Sequence, residues 1–130
     1  MDSPVETQVA AHIARARGKL EAVASDIAAG RWDDAVSRAY YAMYHAARAA
    51  LLREHQDPRT HRGLVLLIHR HLVSSGRLSS ELGAALARVR DLREYGDYEA
   101  LVQIGEDEAE AAAHDAQAFV AAIERLLAPP

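Results

Sequence analysis

Apolar residues recur at intervals of three and four along five successive stretches of this chain, and in none of them do they alternate. A repeat near 3.6 residues belongs to a helix with one buried face, whereas a half-buried strand repeats every two. The first stretch is the clearest, with Val9, Ile13, Ala16, Leu20, Val23 and Ile27 forming a single stripe. Ser3, Pro4 and Glu6 precede it as a capping box with proline at the first helical position. Gly30 has the position and chemistry of a C-terminal cap.

The second helix is expected from about Trp32 to Glu54. At 100° per residue, Trp32, Val36, Ala39, Met43, Ala46, Ala47 and Ala50 share one broad face, with Tyr40, Tyr44 and Leu51 along its edge. A separate stripe carries Asp34, Arg38, Tyr41, His45, Arg48 and Leu52. Asp57 and Pro58 break the chain between His55 and Arg59. A third helix begins near Thr60, buries Leu64, Leu67, Ile68, His71 and Leu72, and stops at Ser74, Ser75 and Gly76. Ser79 or Ser80 caps a fourth, with Leu82, Leu86, Val89 and Arg93 in line and Gly96 as its break or end. The fifth runs from about Glu106 to Leu127. Its acidic first turn suits the helix dipole, and Ala109, Ala112, Ala116, Phe119, Val120, Ile123 and Leu127 face inward before Pro129 and Pro130 close the chain. The expected fold is all-α: one domain over residues 1–130, an up-down antiparallel bundle of about five helices.

Half of the residues are apolar, but much of that is alanine, with one Trp and one Phe. Alanine faces let helices approach closely yet bury little area each, so burial against a second copy, a homodimer, is expected. The formal charge of −4 is not that of a general nucleic-acid binder, although arginines cluster locally. Without cysteine there can be no disulfide, thiol nucleophile or thiolate metal site, which suits a reducing cytoplasm. No apolar run approaches the roughly 20 residues that span a bilayer. The acidic start does not read as a signal peptide, so a cytoplasmic chain with no membrane association is expected.

Two places depart from the helical pattern. Arg38, Tyr41, His45 and Arg48 put two guanidiniums, a phenol and an imidazole on one surface. Guanidinium grips phosphate oxygens bidentately, and histidine moves protons near neutral pH, so the group suits nucleotide or RNA. The competing reading is a polar helix face bonded to a neighbouring helix. Arg93 lies one turn beyond Val89 on the inward stripe, with Asp97 and Tyr98 close behind. It is either a structural bridge to Asp97 or an arginine held in a groove for phosphate. His61, His69 and His71 lack the four-residue spacing of paired metal ligands, and His12, His55 and His114 are isolated in sequence, so no metal is expected. The serines have cap and turn positions, which leaves no nucleophilic serine.

The run from Ser37 to Leu52, SRAYYAMYHAARAALL, closely resembles the second-helix signature of the HEPN domain family. Further likenesses follow in the family's order. Trp32 to Val36 precede the signature, and Thr60-His61-Arg62-Gly63-Leu64 is similar to the start of the family's third helix. Leu92-Arg93-Glu94-Tyr95-Gly96-Asp97-Tyr98 is similar to its L-R-x-x-x-D-Y segment, and the last helix is rich in Ala and Glu and reaches Phe119-Val120. The resemblance implies a dimerising bundle with a polar cleft between subunits. It also implies pairing, as toxin, with a minimal nucleotidyltransferase antitoxin, and in active members a metal-independent ribonuclease. There an Arg steadies phosphate charge and a nearby His transfers protons as the ribose 2′-OH attacks phosphorus.

This chain departs from that motif. Arg93 holds the arginine position, but Asp97 or Tyr98 stands where the histidine belongs, and His114 is in the next helix. The expected catalytic set is therefore Arg93, Asp97 and Tyr98, with Arg38, Tyr41, His45 and Arg48 for nucleotide or RNA, and no cofactor. Tyr98, or else Tyr95, is the counterpart of a tyrosine that some transferase partners adenylylate. The alternatives are a non-catalytic dimeric module that binds a nucleotide or a nucleotidyltransferase, and a purely structural helical adaptor.

Overall fold

The computed structural model describes residues 3–98 and 103–129. Its helices are α1 (Pro4–Ala28), α2 (Trp32–Arg53), α3 (His61–Ile68), α4 (Ser80–Tyr98) and α5 (Glu106–Leu127). A wider π turn over His69–Val73 prolongs α3, with the Ser74 amide donating to the His69 carbonyl at 2.9 Å.

Side-chain pairs fix the directions. Glu6 meets Arg53, His12 meets His45 and Asp26 meets Arg38, so α1 and α2 run antiparallel. Arg77, just before α4, pairs with Glu54 just after α2, and Arg93 lies over Tyr40, so α4 is antiparallel to α2. Arg88 pairs with Asp115, and α5 returns along α4. The all-α up-down bundle expected from the periodicity is the observed one.

The local signals act as read. Ser3 Oγ accepts from the Glu6 amide at 3.1 Å and Thr60 Oγ1 from the Gly63 amide at 2.9 Å. Ser79, not Ser80, caps α4, its Oγ accepting from the Leu82 amide. Gly30 takes φ of +73°, which L residues adopt at a cost. Glu6 does not close the capping box on its own side. Its carboxylate instead receives two hydrogen bonds from Arg53, at 3.1 and 2.7 Å, which tie the ends of α1 and α2 together.

Helix α2 is buried on more sides than a single stripe allows. Ala35, Ala39, Ala42, Ala46, Ala47, Ala49 and Ala50 are all buried, and Tyr40 and Leu51, expected at an edge, are fully enclosed. It is the central rod, with α1, α4 and α5 packed around it. Alanine explains how: without long side chains in the way, three helices can approach one backbone. Phe119, Met43, Leu86, Ile123, Leu64 and Ile68 supply the bulk. His71 and Leu67 are only partly buried.

Gly96 does not break α4, which continues through it to Tyr98. A Cβ there would lie 2.7 Å from Ile104 Cδ1, so the missing side chain serves close packing of the chain leading into α5.

Candidate functional site

Arg93 follows Leu86 and Val89 on the inward stripe of α4, and its side chain is 15% exposed. Its guanidinium carbon lies 5.2 Å from the ring centroid of Tyr40 and 5.3 Å from that of Tyr41. Two π faces thus take part of the charge that burial leaves without water. Nη1 donates to Asp97 Oδ2 at 3.0 Å. Helical spacing of four residues sets that contact, and Asp97 is half exposed. The bridge foreseen for Arg93 forms, but on the solvent side.

Tyr41 and Tyr44 pack edge to face at 5.9 Å, and His61 from α3 lies 5.1 Å from Tyr44 and 5.5 Å from Tyr40. Tyr40 Oη is 2.6 Å from His61 Nδ1. Burial raises the pKa of the Tyr40 phenol, against the pull of Arg90 and Arg93, so it stays protonated and donates. His61 then carries its proton on Nε2. Burial first, and then the charges of Arg93 and Arg90, lower its pKa against the opposing Glu94, so it is neutral at pH 7. Arg90 pairs with Glu94 at 3.2 Å, and Arg48 stacks 5.9 Å over Tyr44 while donating to Asp57 at 2.6 Å. Among the described residues, the Nε atoms of Arg48, Arg90 and Arg93, the three guanidiniums bordering these rings, are buried without a partner.

The stripe Arg38, Tyr41, His45, Arg48 does not act as one group. Each member is taken by a different neighbour. Tyr41 joins Arg93. Arg48 reaches the Asp57–Pro58 turn, donating also to the Pro58 carbonyl at 3.1 Å. Arg38 points to the other end of α2, where its Nη1 lies 2.5 Å from Oδ2 of Asp26. Arg31 holds the second Asp26 oxygen at 3.0 Å. For Arg38 the helix-to-helix bridge is the arrangement present. The side chain of Tyr98 lies outside the described residues.

His45 meets His12, which sequence spacing had left isolated. Their Nδ1 atoms are 3.0 Å apart and the rings stack at 5.3 Å. Burial comes first, and then His12, Arg15, Lys19 and Arg48, in pushing the His45 pKa down to about 4. Burial, Arg48 and Arg15 lower that of His12 against Asp57. Both rings are neutral at pH 7, one donating to the other. Because the unfolded chain binds these protons more readily than the fold does, stability falls as pH drops from about 6.5 toward 4. At this half-buried pair, solvent screening limits the loss to about 1–2 kcal/mol. Urea midpoints at pH 7 and pH 5 should separate more for the wild type than for His45→Gln. Equal separations would refute the coupling.

His12 and His61 are the two residues that the sequence does not assign to the site. His12 and His45 are 33 positions apart on different helices, so no spacing rule connects them. His61 has a signal, its place in the Thr60–Leu64 run, but its spacing to His69 and His71 speaks only to metal ligation and not to a place beside Arg93. Among the described residues no group of three or more His, Asp or Glu could hold a metal ion, and no helix is long and apolar enough to cross a membrane.

An all-α bundle whose fourth helix sets an arginine against tyrosines of the second defines the class. The profile of the HEPN domain matches residues 9–126, and the chain belongs to the HEPN domain family. Two proteins of Methanocaldococcus jannaschii, each named "Putative toxin", are similar to it. One is 34% identical over 94 residues, covering 72% of this chain and 69% of the relative. The other is 30% identical over 108 residues, covering 83% and 74%. A protein of Archaeoglobus fulgidus named "UPF0332 protein" is 41% identical over 91 residues, covering 70% and 72%.

Proposed function

We propose that this chain is the toxin-type member of a toxin–antitoxin or defence pair, held in check by a minimal nucleotidyltransferase, and that it engages RNA at Arg93. The observation that carries this is the Arg93 guanidinium, held on the faces of Tyr40 and Tyr41 and tied to one exposed acid. A phosphate can replace Asp97 on it at little cost, while the rings keep it aimed. Tyr41, Tyr44 and His61 are partly exposed rings on which bases can stack. The toxin names of two relatives support the reading.

In its catalytic form the protein is a metal-independent endoribonuclease. The 2′-oxygen bonds to the adjacent phosphorus, the bond from phosphorus to the 5′-oxygen breaks, and Arg93 stabilises the charge on the remaining oxygens. Asp97, whose carboxylate keeps free lone pairs once phosphate displaces it from Arg93, takes the 2′ proton and passes it to the leaving 5′-oxygen. Tyr98 and a paired second copy belong to this reading too. A second, non-catalytic reading has its own support. Asp97 already neutralises Arg93, and the His45 ring is engaged by His12. On it the protein is a dimeric module that binds a nucleotide or the transferase without cleaving.

Expression without a nucleotidyltransferase is expected to arrest growth, and Arg93→Ala to relieve the arrest with helicity unchanged. Arg93→Lys keeps the charge but loses the planar fork, and should also fail. Arrest that persists with Arg93→Ala would remove this site from the toxin's action. RNA cleavage by the purified protein in a chelator separates the catalytic reading from the module.

A further inference from the structure

We propose that the outer face of α3 and its π turn is a path for the phosphate backbone of single-stranded RNA leading to the Arg93 site. The proposal rests on the RNA reading above and extends it away from the reacting atoms.

Residues 58–80 hold four arginines and no acid, in a chain whose formal charge is −4, so everything outside that segment sums to −8. Arg59, Arg62, Leu66, His69 and Arg70 are all exposed. Arg62, Leu66 and Arg70 follow at intervals of four and so share one face. Arg62 and Arg70 are eight residues apart, about 12 Å along a helix, which lets an extended strand touch both with phosphates two nucleotides apart. Nine other arginines stand in ion pairs, but among the described residues Arg59, Arg62 and Arg70 stand in none. Their charge is therefore available to a ligand.

The face starts at the residue next to the candidate site. His61, beside Arg62, turns inward to Tyr40, whose ring carries Arg93. A strand lying on Arg70 and Arg62 would reach the Tyr41, Tyr44 and His61 rings next. A charged track ending at stacking rings is the usual design for single-stranded nucleic acid. Other occupants fit less well. A twofold contact through this face would set arginine against arginine. An acidic protein would need a contiguous apolar centre, and Leu66 is the one large apolar side chain exposed on this face.

The test is binding of a fluorescein-labelled oligouridylate across a salt series. It compares the wild type, Arg62→Ala/Arg70→Ala, Arg93→Ala and, as a control on α5, Arg125→Ala. All the α3 and α5 changes are at exposed positions, so folding should hold. The double variant is expected to bind several-fold more weakly, with a log–log salt slope shallower by about 1.4, two contacts at about 0.7 each. Arg125→Ala should match the wild type. A double variant with unchanged affinity and slope, beside a weakened Arg93→Ala, would overturn the α3 path and leave the RNA reading standing. An equal loss in Arg125→Ala would reduce it to diffuse charge. No binding by the wild type would end both readings. If polyglutamate then binds through Arg62 and Arg70, the face belongs to an acidic protein.

Discussion

Alanine in place of Phe119 is expected to cost about 3–5 kcal/mol of folding stability, the range for deleting a fully buried aromatic ring. Phe119 is completely buried in α5, in the same core as the alanines of α2. The upper part of that range applies because of what surrounds it. A cavity shrinks when neighbouring side chains rotate into it, and alanine has no rotamer to change. Relief could come only by moving α5 toward α2, which the buried Val120 and Ile123 oppose. Phe119→Leu should cost much less, because it keeps most of the volume. Urea unfolding checks both, with the midpoint falling and the m-value held. A loss below about 1 kcal/mol for the alanine variant would mean that the helices close readily, and the rigid-rod account of α2 would be wrong.

What the sequence revealed follows from the range of each signal. Caps act within four residues, so Ser3, Gly30 and Thr60 could be placed from local composition alone. Periodicity located α5 to the residue, because its polar face is densely charged and its apolar face is not. It failed on α2, where alanine fills several faces at once and weighs the same whether it is enclosed or bare. Tyr40 was placed at an edge for that reason, and it proved to be enclosed and bonded to His61. Gly96 was read as a break because glycine is a poor helix former, but contact with Ile104 outweighs about 1 kcal/mol of propensity. The candidate site was legible by type and not by grouping. Shared helix spacing says which side chains leave α2 in one direction. Which neighbour meets each of them depends on where α1, α3 and α4 lie, and that separated Arg38 and His45 from Tyr41.

Asp26→Ala is the second large expected effect, about 2–3 kcal/mol. Asp26 is 1% exposed and receives Arg31 on one oxygen and Arg38 on the other. Breaking a buried pair costs about 3–5 kcal/mol when the orphaned charge has no escape. Here both guanidiniums are about half exposed and regain water, which lowers the figure. The pH dependence has a definite sign. Burial alone would raise the Asp26 pKa, but the hydrogen bonds from Arg38 and Arg31 outweigh it and the pKa is lowered. The stabilisation is then complete above the unfolded carboxylate value near 4 and disappears as pH falls through the folded one. Wild type and variant should differ most near neutrality and converge in strong acid. Arg38→Ala should lose a smaller share of the same stability and leave oligouridylate binding at the wild-type level, because that guanidinium is committed to Asp26. RNA affinity that falls in Arg38→Ala while stability holds would return Arg38 to the ligand surface and make the Asp26 bridge incidental.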